Sequence, residues 1–295
     1  MKKQQAAAYY DPKTVRYPYP EDTDRHYLVV KKDDGTVFDR YYPYVDRSKG
    51  FLFRQFLVRV VLNIVVFPVM RIRLGLKVRG KEKLKEHREE LKKGVISVAN
   101  HVHMWDYLAL RRTVRPANPY ILSWAPNIRG ENGTLIRMTG GIPIPENDLR
   151  ATAAYVKAVQ GLLESGGWLH VYAEGSMWEY YRPIRPFKRG PAFFACRFDK
   201  PVLPFAFSFQ KPGFIREKIF HQTACLTLNV GEPLYPDTSL DAKEREEDLT
   251  RRAHEAVCRL AGFKEGENLY PPVYDNSKRI DYYTEEYGIG YKGSW

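Results

Sequence analysis

The chain has 295 residues, which is long enough for one large domain with extensions. A formal net charge of +12 and a pI near 9.4 indicate an anionic partner: nucleic acid, an acidic membrane surface or a phosphorylated small molecule. Only three cysteines occur: Cys196, Cys225 and Cys258. They lie far apart and include no C-x-x-C pair, so the sequence predicts neither a disulfide framework nor a zinc ribbon.

Residues 1–50 form a leader that is rich in tyrosine and proline. It lacks the apolar stretch and the cleavage site of a secretory signal, so we expect the protein to stay inside the cell. Within the leader, residues 27–30 and 36–38 are apolar and flank Asp34-Gly35, a pair that favours a tight turn. The pattern predicts a hairpin in an N-terminal extension.

Residues 51–80 begin with an apolar stretch, from Phe51 to Met70, of about the length that crosses a bilayer. Polar residues and a proline interrupt it, which argues against a regular transmembrane helix: Arg54, Gln55, Arg59, Asn63 and Pro68. A basic run from Arg71 to Lys85 follows. This composition predicts an amphipathic helix in the headgroup region of a membrane, and a core helix of the domain is the alternative.

Residues 81–261 alternate short apolar runs with helical patterns, which is typical of an α/β domain. We expect a charged helix over 81–93 and buried strands over 95–99, 169–173 and 202–207. Helices are predicted over 149–164 and 241–260. The tail, 262–295, is rich in tyrosine, glycine, proline and charge and is expected to wrap over the surface or to lack fixed structure.

The chemistry concentrates in residues 100–106, N-H-V-H-M-W-D, directly after the first predicted strand. A neutral His101 could take a proton from a hydroxyl, and Asp106, about one helical turn later, could hold the other ring nitrogen. No serine accompanies the pair, so the nucleophile would be the substrate's own hydroxyl. A structural histidine is the plainer alternative. A second alternative is a metal site that includes His103, with His170 or His221.

Three further segments support a catalytic reading, and with them the chain resembles the glycerolipid acyltransferases, which acylate glycerol phosphate and lysophosphatidic acid. Asn100-His101 and Asp106 match the N-H-x-x-x-x-D motif of that family, and residues 140–144, G-G-I-P-I, resemble its second motif. Residues 173–176, A-E-G-S, resemble its P-E-G-T-R motif, followed by P-F-K-R-G at 186–190. Residues 202–204, V-L-P, resemble the fourth. The resemblance covers about 74–260.

The resemblance implies a central mixed sheet flanked by helices, as in glycerol-3-phosphate acyltransferase. It also implies that His101 is the general base, that Asp106 orients it, and that Glu174, Gly175 and Ser176 form the acceptor-binding loop. Main-chain amides near Gly175 and Ser176 are expected to hold the oxyanion.

Two arginines of the family motifs are replaced, by Glu146 and by Met177. Because arginine forks suit phosphate oxygens, this loss leaves the identity of the acceptor open between lysophosphatidic acid and lipids without a terminal phosphate. Four basic residues downstream are candidates for the missing clamp: Arg182, Arg185, Lys188 and Arg189.

The sequence therefore predicts an O-acyltransferase of phospholipid biosynthesis, with acyl-CoA or acyl carrier protein as donor and lysophosphatidic acid as the leading acceptor. No metal or cofactor is required, because the thioester is already activated. The expected partner is a membrane lipid surface, at the cytoplasmic face of the cell membrane, in a peripheral or monotopic arrangement. No nucleic-acid module is recognisable, so no nucleic-acid partner is expected. The alternative is a membrane-binding protein of the same fold without catalysis.

Overall fold

A computed structural model describes residues 30, 32–146, 148–219, 222, 224–265, 283–284 and 288–289. The strands are β1 Lys77–Arg79, β2 Val95–Ala99, β3 Tyr120–Ser123, β4 Gly141–Pro143, β5 Trp168–Tyr172, β6 Val202–Gln210, β7 Cys225–Val230, β8 Tyr283–Thr284 and β9 Gly288–Ile289. The helices are α1 Lys49–Val61, α2 Phe67–Leu74, α3 Lys83–Glu86, α4 Arg88–Leu91, α5 Asp106–Thr113, α6 Ala125–Arg129, α7 Gly133–Met138, α8 Leu149–Glu164, α9 Gly190–Phe198, α10 Phe214–Lys218 and α11 Ala242–Leu260.

Seven strands form one mixed sheet in the order β1-β7-β6-β2-β5-β3-β4. All neighbouring pairs are parallel except β6 and β7, which run antiparallel. The α/β fold with a central mixed sheet is thereby confirmed. The strands β2 and β5 lie side by side at the centre, so the loops that follow them meet at one edge of the sheet, where open α/β sheets place their ligands.

The sheet separates two apolar cores because strand residues alternate between its faces. On one face, Ile96 and Val98 of β2 pack with the helices α8, α9 and α11. On the other, Val95 and Ala99 pack with α5 and with the helical segment that begins at residue 49. The strand β2 is fully buried, as its mostly apolar sequence predicts.

The predicted membrane-contacting segment is a continuous helix from Lys49 to Leu74, in which a π-helical stretch, Leu62–Val66, joins α1 to α2. By length and composition alone it could cross a membrane. It touches the domain at both ends, however: Phe51 lies against Arg137 of α7, and Met70 and Leu74 pack in the core with α5. With about 39 Å of length, the helix therefore lies along the domain.

The described part of the chain leaves most of this helix exposed, although its outward side chains are large and apolar. They are Leu52, Phe53, Phe56, Leu57, Val60, Val61, Ile64, Val65, Val69 and Ile72. A contiguous exposed apolar surface of this kind is unusual for a protein surrounded by water. The predicted helix is present: one stripe of it packs in the core, as the alternative of a core helix expects, while its other side is exposed and apolar. Its contact with a membrane stays a prediction.

The end of this helix depends on a glycine. Gly75 adopts a left-handed conformation, with φ of +57°, and caps α2. A Cβ at this position would lie 2.5 Å from Cys225 Sγ at the start of β7. Glycine therefore lets the helix end pack closely against the edge of the sheet.

Two local predictions are wrong. The charged segment 81–93 is not one helix, because it breaks at His87 into α3 and α4, and the His87 ring nitrogens contact Glu90 and Glu232. Residues 36–38 form no strand, since the Asp33 and Asp34 carboxylates instead accept from main-chain amides two residues ahead. The first arm of that predicted hairpin, 27–30, lies almost wholly outside the described residues, and so does most of the tail.

The end of the leader is anchored by a buried arginine. Arg137 donates hydrogen bonds to the carbonyl oxygens of Pro43, Tyr44 and Gly141, at 2.7, 2.9 and 2.8 Å respectively. Tyr44 itself is buried in the core beside Tyr155. The described end of the leader, at Pro43 and Tyr44, is thus packed into the domain.

We expect Arg137→Leu to lower the free energy of unfolding by about 2–4 kcal/mol, because three carbonyl oxygens would lose their buried donor. Urea denaturation measures the change. Lys157→Met, at an exposed position on α8, is the control and should shift the free energy by less than about 0.5 kcal/mol. Equal stability of both variants would show that the leader is not anchored in this way.

Candidate active site

Asn100 fixes the chain as it leaves β2. Its side-chain nitrogen donates to the Phe207 carbonyl at 2.9 Å, and its side-chain oxygen accepts from the Phe207 amide at 2.7 Å. The asparagine thereby continues the pairing with β6 after the strand ends. His101 follows immediately and points from the carboxyl edge of the sheet.

His101 and Asp106 form the predicted pair. The distance from His101 Nδ1 to Asp106 Oδ2 is 2.8 Å, and the His101 side chain is 23% exposed. A carboxylate accepts, so Nδ1 carries the proton and Nε2 is left with a lone pair. Nε2 makes no hydrogen bond to any residue that the structure describes. It is therefore placed to take a proton from a substrate.

Asp106 is fully buried at the first position of α5. Besides His101, its carboxylate accepts from the main-chain amides of Val102 at 3.1 Å and His103 at 3.3 Å, and from the Tyr172 hydroxyl. Burial alone would raise the pKa of Asp106, but the adjacent His101 and these donors hold the pKa below its usual value. The carboxyl group is thus kept ionised.

Tyr172 is a site residue that the sequence analysis missed. Its hydroxyl donates to Asp106 Oδ1, and its ring stacks on the His101 imidazole at 3.8 Å between centroids with a 7° angle between planes. Tyr172 ends β5 and is paired in register with Ala99 of β2. Only the parallel pairing of two distant strands brings it next to His101.

A buried polar chain lies beneath Tyr172. Trp168 Nε1 donates to Ser97 Oγ at 2.7 Å, which leaves the Ser97 hydroxyl to donate to His170 Nδ1 at 2.9 Å. Burial lowers the pKa of His170 to about 3, so this imidazole stays neutral. Its ring meets the Tyr172 ring edge-on at 4.5 Å. We interpret His170 as support for the tyrosine.

Glu174 ties two loops together. One carboxylate oxygen accepts from the His101 amide at 3.1 Å and from Arg185 Nη2 at 3.1 Å, while the other accepts from the Arg185 amide at 2.9 Å. Glu174 is buried. It therefore holds the main chain at His101 and joins it to the segment at Arg185.

Arg185 is enclosed and does not face the acceptor side. Its side chain is 2% exposed, it donates to Ser176 Oγ at 2.8 Å and to the Ser176 carbonyl, and its guanidinium lies 4.5 Å from the Trp178 ring centroid. Ser176 is buried as well. We therefore correct the predicted role of Arg185 from a phosphate clamp to a stabiliser of the 174–176 loop.

The other three basic candidates are dispersed. Arg189 forms ion pairs with Glu246 at 3.2 Å and Glu247 at 3.8 Å. Its charge is thereby compensated by carboxylates of α11. Arg182 packs its guanidinium 4.5 Å from the Phe263 ring centroid. Lys188 is exposed, and its Cε would lie 3.6 Å from a Cβ on Gly175. Lys188 is the candidate that lies beside the loop.

The two positions that lack the family's arginines are occupied differently. Met177 is buried, and Glu146 forms an ion pair with Arg129 at 2.8 Å. The Gly175 amide, expected to hold the oxyanion, donates instead to the Tyr172 carbonyl at 3.0 Å. In this conformation Gly175 shapes the turn and does not offer a donor to substrate.

His103 is held within the loop, where its Nδ1 accepts from the Trp105 amide at 3.1 Å. Burial lowers the pKa of His103, which keeps it neutral. No group of three or more His, Cys, Asp or Glu that could hold a metal occurs among the described residues, and His221 lies outside them.

Residues 75–208 match the protein-family model described as Acyltransferase. This segment is an acyltransferase-family domain. The family predicted from the motifs is thereby confirmed, and the matched segment contains the His101–Asp106 pair, Tyr172 and Glu174. Its limits fall near the first strand and within β6.

Among solved structures, the chain is similar to the 1-acyl-sn-glycerophosphate (LPA) acyltransferase PlsC from Thermotoga maritima. The sequence identity is 18% and the TM-score is 0.49, over 75% of this chain and 86% of that chain. A comparison with curated proteins gave no match.

We expect Tyr172→Phe to lower kcat about tenfold, because the ring still stacks on His101 while Asp106 loses one donor. Tyr107→Phe is the matched control: it also removes a buried hydroxyl, one that donates to the Pro119 carbonyl at 2.7 Å and not to the pair. Acyl-transfer kinetics measure both. Equal effects on kcat would mean that the Tyr172 hydroxyl serves stability alone.

Proposed function

We propose that this chain transfers a fatty acyl group from the thioester of acyl-CoA or acyl carrier protein to a hydroxyl of a lysophospholipid-type acceptor, with lysophosphatidic acid the leading candidate. The single observation that supports this most is the His101–Asp106 pair, in which a buried carboxylate holds one ring nitrogen and leaves the other accessible. The acyltransferase family supplies the reaction class.

His101 acts as general base. Its Nε2 removes the proton of the acceptor hydroxyl while that oxygen attacks the thioester carbon, and the ionised Asp106 stabilises the imidazolium that forms. When the tetrahedral intermediate collapses, the carbon–sulfur bond breaks and the imidazolium returns the proton to the departing thiolate. No acyl-enzyme forms, because the attacking oxygen belongs to the acceptor. The reaction needs no cofactor.

The acceptor is expected to sit over the loop 174–176, beside His101. Glu174 and Arg185 form the buried frame of this loop, so a charged headgroup would meet cations outside that frame. Lys188, next to Gly175, is the cation that we propose for the acceptor's phosphate. A single lysine is a weaker clamp than two arginine forks.

The helix 49–74 is proposed to hold the protein on the cytoplasmic face of the membrane. Its outward side chains are apolar, and Arg71 and Arg73 lie at one end, where they would meet lipid phosphates. Since the helix lies along the domain, we favour a peripheral or monotopic arrangement. The same helix packs against α5, which begins with Asp106, and we propose that the acceptor reaches His101 from the lipid on this side.

The test is transfer of a radiolabelled acyl group from acyl-CoA, and separately from acyl carrier protein, to glycerol 3-phosphate, lysophosphatidic acid, neutral lysolipids and amino lipids. We expect transfer by the wild type and a loss of at least about 1,000-fold in His101→Ala, with vesicle binding unchanged. A metal chelator should have no effect.

Transfer that survives in His101→Ala would exclude this mechanism. If the wild type binds vesicles but acylates no acceptor in the panel, the protein is a membrane-binding member of the fold without catalysis.

A further inference from the structure

A basic groove of about 620 Å³ opens at the carboxyl edge of the sheet. It lies where β6 ends at Gln210 and β7 begins at Cys225, against the end of α2. Because β6 runs parallel to β2, this is the same edge from which His101 projects. Five cations from five parts of the chain line the groove: Arg71, Lys77, Arg112, Lys211 and Arg216.

Among the residues that the structure describes, no acidic one lines this groove. Within the described part of the chain, the side chains of Arg71, Lys77, Arg112 and Lys211 make no ion pair and no hydrogen bond. Arg216 is held in place, since it donates to the Ile72 carbonyl and to Gln222 Oε1. Like charges gathered without a counter-charge repel one another, so an anion in the groove would stabilise the arrangement.

The electrostatics at Arg112 agree with this view. Burial, together with the positive charges of Arg71 and Arg115, lowers the pKa of the Arg112 guanidinium. Arginine is the cation that keeps its charge in such surroundings, and its planar fork suits two phosphate oxygens at once.

Both rims of the groove are apolar and exposed. Val69 and Ile72 of α2 form one rim and are 52% and 62% exposed. Phe214 and Ile215 of α10, with Ile219 just after it, form the other and are 74%, 60% and 62% exposed. Cations between two exposed apolar elements match the order of layers in a membrane leaflet, where phosphates lie above acyl chains.

We propose that this groove binds the phosphate headgroup of an anionic phospholipid, while the side chains of Phe214, Ile215 and Ile72 insert among the acyl chains. The short helix α10 is thereby a second membrane-contacting element, separated in sequence from the helix 49–74. The proposal rests on the membrane contact proposed for that helix but not on acyl transfer.

The lipid in the groove is distinct from the acceptor. Gln210 lies three residues beyond Phe207, the partner of Asn100, and thus roughly 10 Å further along β6. In a glycerol phosphate the hydroxyls and the phosphate are only a few bonds apart, so we assign the groove and His101 to different lipid molecules. The bound lipid would instead fix the orientation in which His101 faces the membrane.

The test is co-sedimentation of the full chain with vesicles of phosphatidylcholine alone and of phosphatidylcholine mixed with phosphatidic acid. We expect the double variant Arg112→Gln/Lys211→Gln to bind the mixed vesicles about 10–30-fold more weakly than the wild type, and the phosphatidylcholine vesicles equally well. The matched control, Arg150→Gln/Lys157→Gln, removes the same charge from α8 on the opposite face of the sheet and should change binding less than about threefold.

A second variant, Phe214→Ser/Ile215→Ser, keeps all five cations and should weaken binding to both kinds of vesicle. If Arg112→Gln/Lys211→Gln binds the mixed vesicles as tightly as the control variant does, the proposal is overturned. If Arg112→Gln/Lys211→Gln raises the KM for acyl-CoA and leaves vesicle binding unchanged, the proposal is also overturned, because the groove would then hold the phosphates of the donor. If the wild type binds neither kind of vesicle, the membrane contact proposed for helix 49–74 is wrong, and the groove proposal that rests on it is overturned as well.

Discussion

The site depends on one buried carboxylate. Asp106 is enclosed at the start of α5, where an isolated charge would be strongly unfavourable, and it is stabilised by donors from the loop after β2 and from the end of β5. These donors include the groups that position His101: its own Nδ1, the main chain that follows it, and the Tyr172 hydroxyl. Satisfying the carboxylate therefore also fixes the orientation of the base.

The sheet places the His101–Asp106 pair and the two proposed membrane contacts on one side of the molecule. The helix 49–74 packs on the face that carries α5, and the basic groove lies at the edge from which His101 projects. An enzyme that acylates a lipid must reach an acceptor whose chains stay in the bilayer. The helix 49–74 lies along the domain and its buried stripe is part of the core, so the membrane contact that we propose for it is peripheral or monotopic.

The sequence predicted what is encoded locally. The strand 95–99 and the helix 149–164 were predicted with the observed bounds, because a short, mostly apolar run and a regular 3.6-residue pattern each report a local environment. The His101–Asp106 pair was found because one loop contains both residues. Tyr172 was missed since its role arises from strand pairing, and Arg185 was misjudged because nothing in a basic loop reveals that Glu174 and Trp178 enclose it.

The central claim is that Asp106 holds His101 with Nδ1 protonated and Nε2 ready to accept a proton. The most direct measurement is ¹⁵N NMR of the His101 ring in the full chain at neutral pH, assigned by comparison with His101→Ala. We expect Nδ1 of the ring to be protonated, and the tautomer to shift in Asp106→Asn, whose amide can donate to Nδ1. A wild-type ring protonated at Nε2 would contradict it.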